Sequence, residues 1–238
     1  MKILRRSAER GHADHGWLDA RHTFSFAGYL DPDWMGFGLL RVLNQDKVEP
    51  ARGFGTHPHQ DMEIVTYVLD GELEHRDSMG HGERIVPGEV QLMSAGTGVQ
   101  HSEVNPSGEH GLELLQMWVH PARRGTEPRY EQEAYPESER RGALRLVVSP
   151  DGADGSLTIG QDARLYAGLL DGDETITHAL APGRRAWLHL ARGRMTLDGE
   201  PLEAGDGVGF VDHAGFTLTA GEDAEFVLWD LPDTETPS

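Results

Sequence analysis

Thirty glycines and thirteen prolines are spread evenly along the 238 residues of this chain instead of collecting in one tail. Between them lie short runs of branched and aromatic residues: 37–43, 62–69, 90–93, 112–119, 144–148, 186–190 and 226–231. Short apolar runs bounded by turn residues read as strands of a sandwich or barrel. No segment carries a long, capped helical periodicity, so the expected class is all-β.

An internal repeat refines that expectation. In the first half VLDGELEH leads through a loop to VPGEVQLMSAG; in the second LARGRMTL leads to LEAGDGVGFVDHAG. Gly71 aligns with Gly193, Gly88 with Gly205 and Gly96 with Gly215, at offsets between 117 and 122 residues. Three ordered landmarks favour duplication and predict two similar β-barrels in tandem. The polar stretch Pro128–Arg141 reads as a connector with a short helical turn, which places the domains at 1–130 and 131–238. The N-terminal strand is expected to cross to the second barrel and lock the pair, and the polar tail 232–238 to fray.

Charge narrows the function classes. Forty acidic and 21 basic side chains give a net charge of −19, a surface that repels phosphate backbones and argues against nucleic-acid binding. Without cysteine, disulfides, thiolate metal sites and cysteine nucleophiles are excluded. No apolar run approaches a membrane span and no signal-peptide pattern is visible, so a cytoplasmic protein is expected.

Thirteen histidines matter only where they fall at ligand spacing. Gly55-Thr56-His57-Pro58-His59 places two imidazoles at i and i+2, on one face of a strand. Gly98-Val99-Gln100-His101-Ser102-Glu103 repeats the device with an imidazole and a carboxylate. If these strands face each other across a barrel, four ligands converge. Such a nitrogen and oxygen set suits several divalent metals, and an octahedral ion would keep two open positions. Glu63, four residues after His59, is the rival carboxylate. In the repeat, His57, His59 and His101 map onto Ala179, Ala181 and Ala220, and Glu103 onto Glu222; His178 falls one residue out of register. The second barrel is therefore expected to lack a metal. His12 and His15 sit in a loop-like stretch; His22, Phe24 and Phe26 are expected to structure the barrel entry, and His75 to be exposed.

The histidine pattern resembles the cupin motifs: His57, His59, Glu63 and Gly71 in the first, Gly98, His101 and Asn105 in the second, with Gly96 where a proline is usual. Within the cupins the chain resembles the pirin family. RGHADHGWLDARHTFSFAGYLDP, MGFGLLRVLN, FGTHPHQDMEIVTYVLDGELEHRDSMG and MSAGTGVQHSEVNPS carry that likeness, over roughly residues 5–130 and more weakly beyond. The resemblance implies a bicupin of two tandem cupin (jelly-roll) β-barrels, with the second free of metal. It also implies His57, His59, His101 and Glu103 as ligands, favouring Glu103 over Glu63.

Bacterial pirin-like proteins are associated with quercetin 2,3-dioxygenase activity. The resemblance thus implies a metal-dependent dioxygenase that cleaves a flavonol such as quercetin with O2. One divalent metal is expected, Fe(II) first, with Mn, Co, Ni, Cu or Zn as alternatives. Glu103 would be catalytic, accepting the proton of the flavonol 3-hydroxyl before ring cleavage releases carbon monoxide. Strand alternation suggests Phe37, Met93, Leu115 and Met117 as the apolar cover. The expected partners are a small aromatic substrate and O2, with no membrane or nucleic acid, for a monomeric chain. The alternative is a metal-loaded redox sensor or transcriptional co-regulator acting through protein partners without turnover. A third reading is another cupin reaction on a sugar or phenol.

Overall fold

The computed structural model describes residues 1–236, nearly all of them in strands and turns. The strands, numbered in chain order, form three sheets. A seven-stranded sheet in the order β12-β9-β6-β11-β4-β3-β2 is built from β2 (Gly11–Asp14), β3 (Leu18–His22), β4 (Leu40–Val48), β6 (Glu63–Asp70), β9 (Glu89–Ser94), β11 (Leu112–Val119) and β12 (Arg129–Ala134). A four-stranded sheet in the order β5-β10-β7-β8 comprises β5 (Gly53–His59), β7 (Leu73–Asp77), β8 (Gly82–Ile85) and β10 (Val99–Val104).

The third sheet has nine strands: β1 (Lys2–Arg5), β13 (Arg145–Ser149), β14 (Leu157–Thr158), β15 (Arg164–Gly172), β16 (Ile176–Ala179), β17 (Arg184–Leu197), β18 (Glu200–Glu203), β19 (Gly207–Phe210) and β20 (Gly215–Pro232). Its order is β1-β19-β17-β20-β15-β13-β14, with β16 beside β20 and β18 beside β17.

The seven-stranded sheet is the middle layer. On β11, Leu112 and Leu114 pack with Leu18, Val68, Leu73 and Ile85, toward the small sheet. Leu115, Met117 and Val119 pack with Trp187, Val227 and Trp229 of the C-terminal sheet. Successive side chains point to opposite faces, so a strand covered on both sides reads as a continuous apolar run rather than an alternating one. That is why 112–119 is apolar almost throughout. Polar links cross the same seam. Trp229 Nε1 approaches Met117 Sδ at 3.2 Å, and the Tyr67 hydroxyl donates to Glu225 at 2.6 Å. Buried Arg140, from the four-residue helix Glu137–Arg140, binds both Tyr67 and Glu225.

The expected all-β class holds, but the two closed jelly-roll barrels do not. None of the three ladders returns to its own first strand. In the N-terminal half, the free edge of β9 is taken by β12, from the segment read as a connector, rather than by a strand of the small sheet. In the C-terminal half the matching edge of β19 is taken by β1. Both edges where a barrel would have to join are thus occupied by strands from elsewhere in the chain, and the halves are open, cupin-like sheets.

The crossing of β1 itself was expected from the sequence, and the register is Lys2 opposite Phe210 through Arg5 opposite Gly207. Part of the tail departs from expectation. Asp233 donates its backbone N–H to Gly183 and accepts from Arg185, so the chain is held beyond Pro232; Pro237 and Ser238 lie outside the described residues. No described helix is long and apolar enough to cross a membrane.

The repeat is visible in the turns. Gly71 and Gly193 have φ of +78° and +73°, and Gly88 and Gly205 of +89° and +88°, a region open chiefly to glycine.

Candidate metal centre

His57 and His101 lie directly opposite each other on β5 and β10, hydrogen-bonded neighbours in the small sheet rather than strands facing across a barrel. Their Nε2 atoms are 3.0 Å apart. His59, two residues along β5, projects to the same side, its ring centroid 4.8 Å from His57 and 4.7 Å from His101. Gly53 lets β5 come this close: a Cβ there would stand 2.3 Å from the Glu103 carbonyl oxygen.

The proton positions follow from the neighbours. His57 Nδ1 is 2.8 Å from the Gly55 carbonyl, which only accepts, so Nδ1 carries the hydrogen and Nε2 presents its lone pair to the cluster. Burial, followed by the charge of His57, lowers the pKa of His59 to about 4. Burial, with His57 and His59 adding to it, lowers His101 to about 2. His59 and His101, held neutral, crowd against His57, whose outer nitrogen is tied to a carbonyl; this matches the donor chemistry and supporting bond of a metal-binding histidine set.

Glu103 sits deeper. It belongs to a second trio with His75 and His101, whose ligand atoms all lie within 4.8 Å of one another; His57, His59 and His101 form the first. His101 is common to both. Glu103 Oε2 accepts from Gln116 Nε2 at 2.8 Å and Oε1 from Thr66 Oγ1 at 3.3 Å. Burial raises its pKa to about 7 despite those two bonds. Glu63 lies apart, accepting from Ser94 at 2.7 Å and from the backbone of Gly160 in the C-terminal half. It bridges the halves instead of joining the imidazoles. His75, expected to be exposed, is fully buried between Asp77, Gln91 and the Tyr130 ring.

A cavity of about 220 Å³ opens beside His57, His59 and Glu103. Its apolar walls are Leu18, Phe26, Phe54 and Trp118, with His22, Asn44, Asp46 and Gln116 as polar lining. None of Phe37, Met93, Leu115 or Met117 lines it. Leu115, Met117 and Phe37 point into the seam with the C-terminal sheet, and Met93 into a small cluster with Ile64, Ala95 and Val99. Sequence reasoning chose the wrong phase of β11, whose Gln116 and Trp118 face the cavity. Of the aromatic trio 22–26, His22 and Phe26 do reach the cavity wall, whereas Phe24 is buried against Trp187. Asp46 was not singled out, yet it is buried with its pKa raised to about 7 by desolvation and then by Glu103. The alternating polar pair Asn44 and Asp46, inside an apolar strand, was the available signal.

The second half can be compared position by position. His75 faces Glu103 as Leu197 faces Leu218, and His101 faces His57 as Phe216 faces His178. The counterparts of His57, His59, His101 and Glu103 are therefore His178, Leu180, Phe216 and Leu218. The mapping of His57 and His59 onto alanines fails because one more residue separates His178 from Gly193 than His57 from Gly71. That of His101 and Glu103 onto Ala220 and Glu222 fails because Gly215 stands one residue before Phe216 while Gly96 stands five before His101, so those two glycines are not counterparts. His178 is the only donor among the four, half-buried against Tyr166 and Phe216.

Two cupin-like halves with an imidazole cluster confined to one of them define a pirin-type protein. The chain belongs to the pirin family: the Pirin family model matches residues 4–119, and that described as the quercetinase C-terminal cupin domain matches 146–231. The quercetin 2,3-dioxygenase of Escherichia coli (strain K12) is 49% identical over 232 residues, 98% of this chain and 99% of that protein. The crystal structure of YhhW from Escherichia coli superposes with a TM-score of 0.94 at 48% identity, covering 100% of both chains. A second structure of that bacterial pirin, in complex with nickel(II), gives 0.92 at 49% identity, covering 98% of this chain and 99% of that one.

Proposed function

We propose that this chain is a metal-dependent dioxygenase cleaving a flavonol such as quercetin with O2, its metal held by His57, His59, His101 and Glu103. The observation that carries the reading is the cluster of three imidazoles next to a buried carboxyl, at the wall of an apolar cavity. The name of the half-identical Escherichia coli relative and the nickel in YhhW support it. Fe(II) is proposed as the resident ion, since imidazole and carboxylate donors suit it as they suit nickel.

A divalent metal bound there supplies Lewis acidity and redox chemistry toward O2. The chain does the rest. Glu103, buried beside the imidazole cluster at the cavity wall, is the acceptor for the proton of the flavonol 3-hydroxyl. Gln116 and Thr66 fix both of its oxygens. Phe26, Phe54 and Trp118 offer flat faces to aromatic rings and exclude water. At about 220 Å³ the cavity is smaller than the roughly 300–1,000 Å³ usual for drug-sized ligands, so a three-ring substrate would extend from its mouth past His57 and His59.

In the same reading residues 1–130 form the metal-binding domain, and 131–238 a supporting one that lacks a ligand set. The family matches on either side of the division, and the Leu180, Phe216 and Leu218 replacements, support this. The chain is proposed to work as a cytoplasmic monomer with no nucleic-acid partner. The test is oxygen uptake by Fe(II)-loaded protein with quercetin, beside His57→Ala and Glu103→Ala. Uptake that vanishes in both variants supports the reading. Bound metal with no uptake overturns it.

A further inference from the structure

A second cavity, of about 360 Å³, lies on the opposite face of the middle sheet, where the two halves meet. Its walls combine β3, β4 and β11 with residues 191–193 and 204–205 of the C-terminal half. Four cations line it, Arg10, Arg21, Lys47 and Arg192, against two carboxylates, Asp19 and Glu113. In a chain of net charge −19 this is an inversion of sign. The carboxylates are already engaged: Glu113 holds Arg192 at 2.5 Å, and Asp19 lies 3.6 Å from Arg21.

Arg10 is the unusual member. Only 6% of it is exposed, yet its contacts are neutral oxygens: Gln45 Oε1 at 3.3 Å, Gly205 O at 3.3 Å and Arg21 O at 2.9 Å. Its Nε has no partner among the described residues. Asp46 and Asp206 act on it only at longer range, and neighbouring His189 is neutral. Buried charges are ordinarily paired, because an unpaired one is costly to desolvate. A guanidinium fork with no carboxylate at ion-pair distance, in a cavity walled also by Lys47, which likewise has no ion pair among the described residues, has the form of an oxyanion receptor.

We propose that this seam cavity binds a small molecule bearing a phosphate or carboxylate group, with Arg10 at its floor and Lys47 as a second anchor. Its volume falls in the range of small-molecule sites. Because both halves contribute walls, occupancy would tie them together at a point separated from the metal centre by the whole thickness of the middle sheet.

The test is isothermal titration calorimetry on the metal-loaded full chain with inorganic phosphate and, separately, succinate, at ionic strength fixed with sodium chloride. One saturable site per chain is expected for at least one anion, weakened roughly tenfold or more in Lys47→Glu and in Arg10→Gln. Lys47→Glu alters a side chain at the cavity rim, so it keeps the test valid if Arg10→Gln folds poorly, and its oxygen uptake with quercetin should match the parent. Saturation by phosphate alone, or by succinate alone, assigns the group recognised. No saturable heat with either anion, or undiminished binding in Lys47→Glu, overturns the proposal.

Discussion

Gln116 on β11 donates a 2.8 Å hydrogen bond to Glu103 on β10, joining the middle sheet to the small sheet behind the imidazole cluster. Glu103 is buried, and among the described residues its one other side-chain donor is Thr66 at 3.3 Å. Gln116 thus fixes the carboxyl that the proposed reaction uses as its proton acceptor.

Replacing Gln116 by leucine should therefore lower kcat/KM for quercetin by roughly tenfold or more, the value of one hydrogen bond to a charged group. Bound metal should stay at the parent level. Steady-state oxygen uptake with metal analysis on the same samples checks both. Parent-level activity would argue against Glu103 as the acceptor.

The two overlapping trios predict different metal phenotypes. His57→Ala and His59→Ala should leave dialysed protein nearly free of nickel or iron, whereas His75→Asn should retain it. His75 is held by Asp77 and Gln91, the supporting arrangement around a cluster rather than a free donor. Metal content per chain decides, and loss in His75→Asn alone would transfer the site to the deeper trio.

Adjacent residues of β11 should separate substrate binding from stability. Trp118 packs edge-on to His59 at 4.9 Å, on the cavity side. Trp118→Ala should raise KM by roughly tenfold, as loss of a large apolar contact would. Met117→Ala opens a hole in the seam opposite Trp229 and should cost about 2–5 kcal/mol of stability with KM unchanged. Denaturant titration and initial-rate kinetics on the two variants test the pair.

His189 provides a pH signature remote from the metal. It is fully buried, and desolvation followed by the charge of Arg10 depresses its pKa well below the usual value. The unfolded imidazole takes up a proton near pH 6.5 while the folded one does not, so the unfolded state binds more protons as pH falls. The contribution is complete above pH about 6.5 and lost below it, at about 1.4 kcal/mol per pH unit. His189→Asn should therefore lose less stability than the parent between pH 7.5 and 5.5, by about 1.4 kcal/mol. Urea unfolding at the two pH values measures it, and equal losses would show that His189 is not the sensor.

Much of this architecture was legible in the residues, for definite physical reasons. At Gly71 and Gly193 a Cβ would lie 2.4 and 2.3 Å from a backbone oxygen as well as requiring positive φ, so glycine is retained there and the pair marked the repeat, as did 88 and 205. The i, i+2 spacing of His57 and His59 fixed their shared face. Alternation failed on β11, because a strand buried on both sides has no polar phase to reveal which face is which. The counterpart of His57 was missed through a single extra residue before Gly193. Sheet closure was invisible for another reason: it depends on which strand takes the edges of β9 and β19, and edge pairing leaves little imprint on local composition. The polar segment 129–134 looks like linker because β12 is an edge strand none of whose residues is fully buried.

The crossing of β1 also sets an order of events in synthesis. Residues 2–5 find their partners only at 207–210, about two hundred residues later. At about 5–20 residues per second, the ribosome takes roughly ten to forty seconds to deliver those partners. Through that interval the first strand waits unpaired, while the sheets bearing His57 and His101 can already assemble. The chain is then fastened by a segment made long before its partner, a clasp that closes only when the second half arrives.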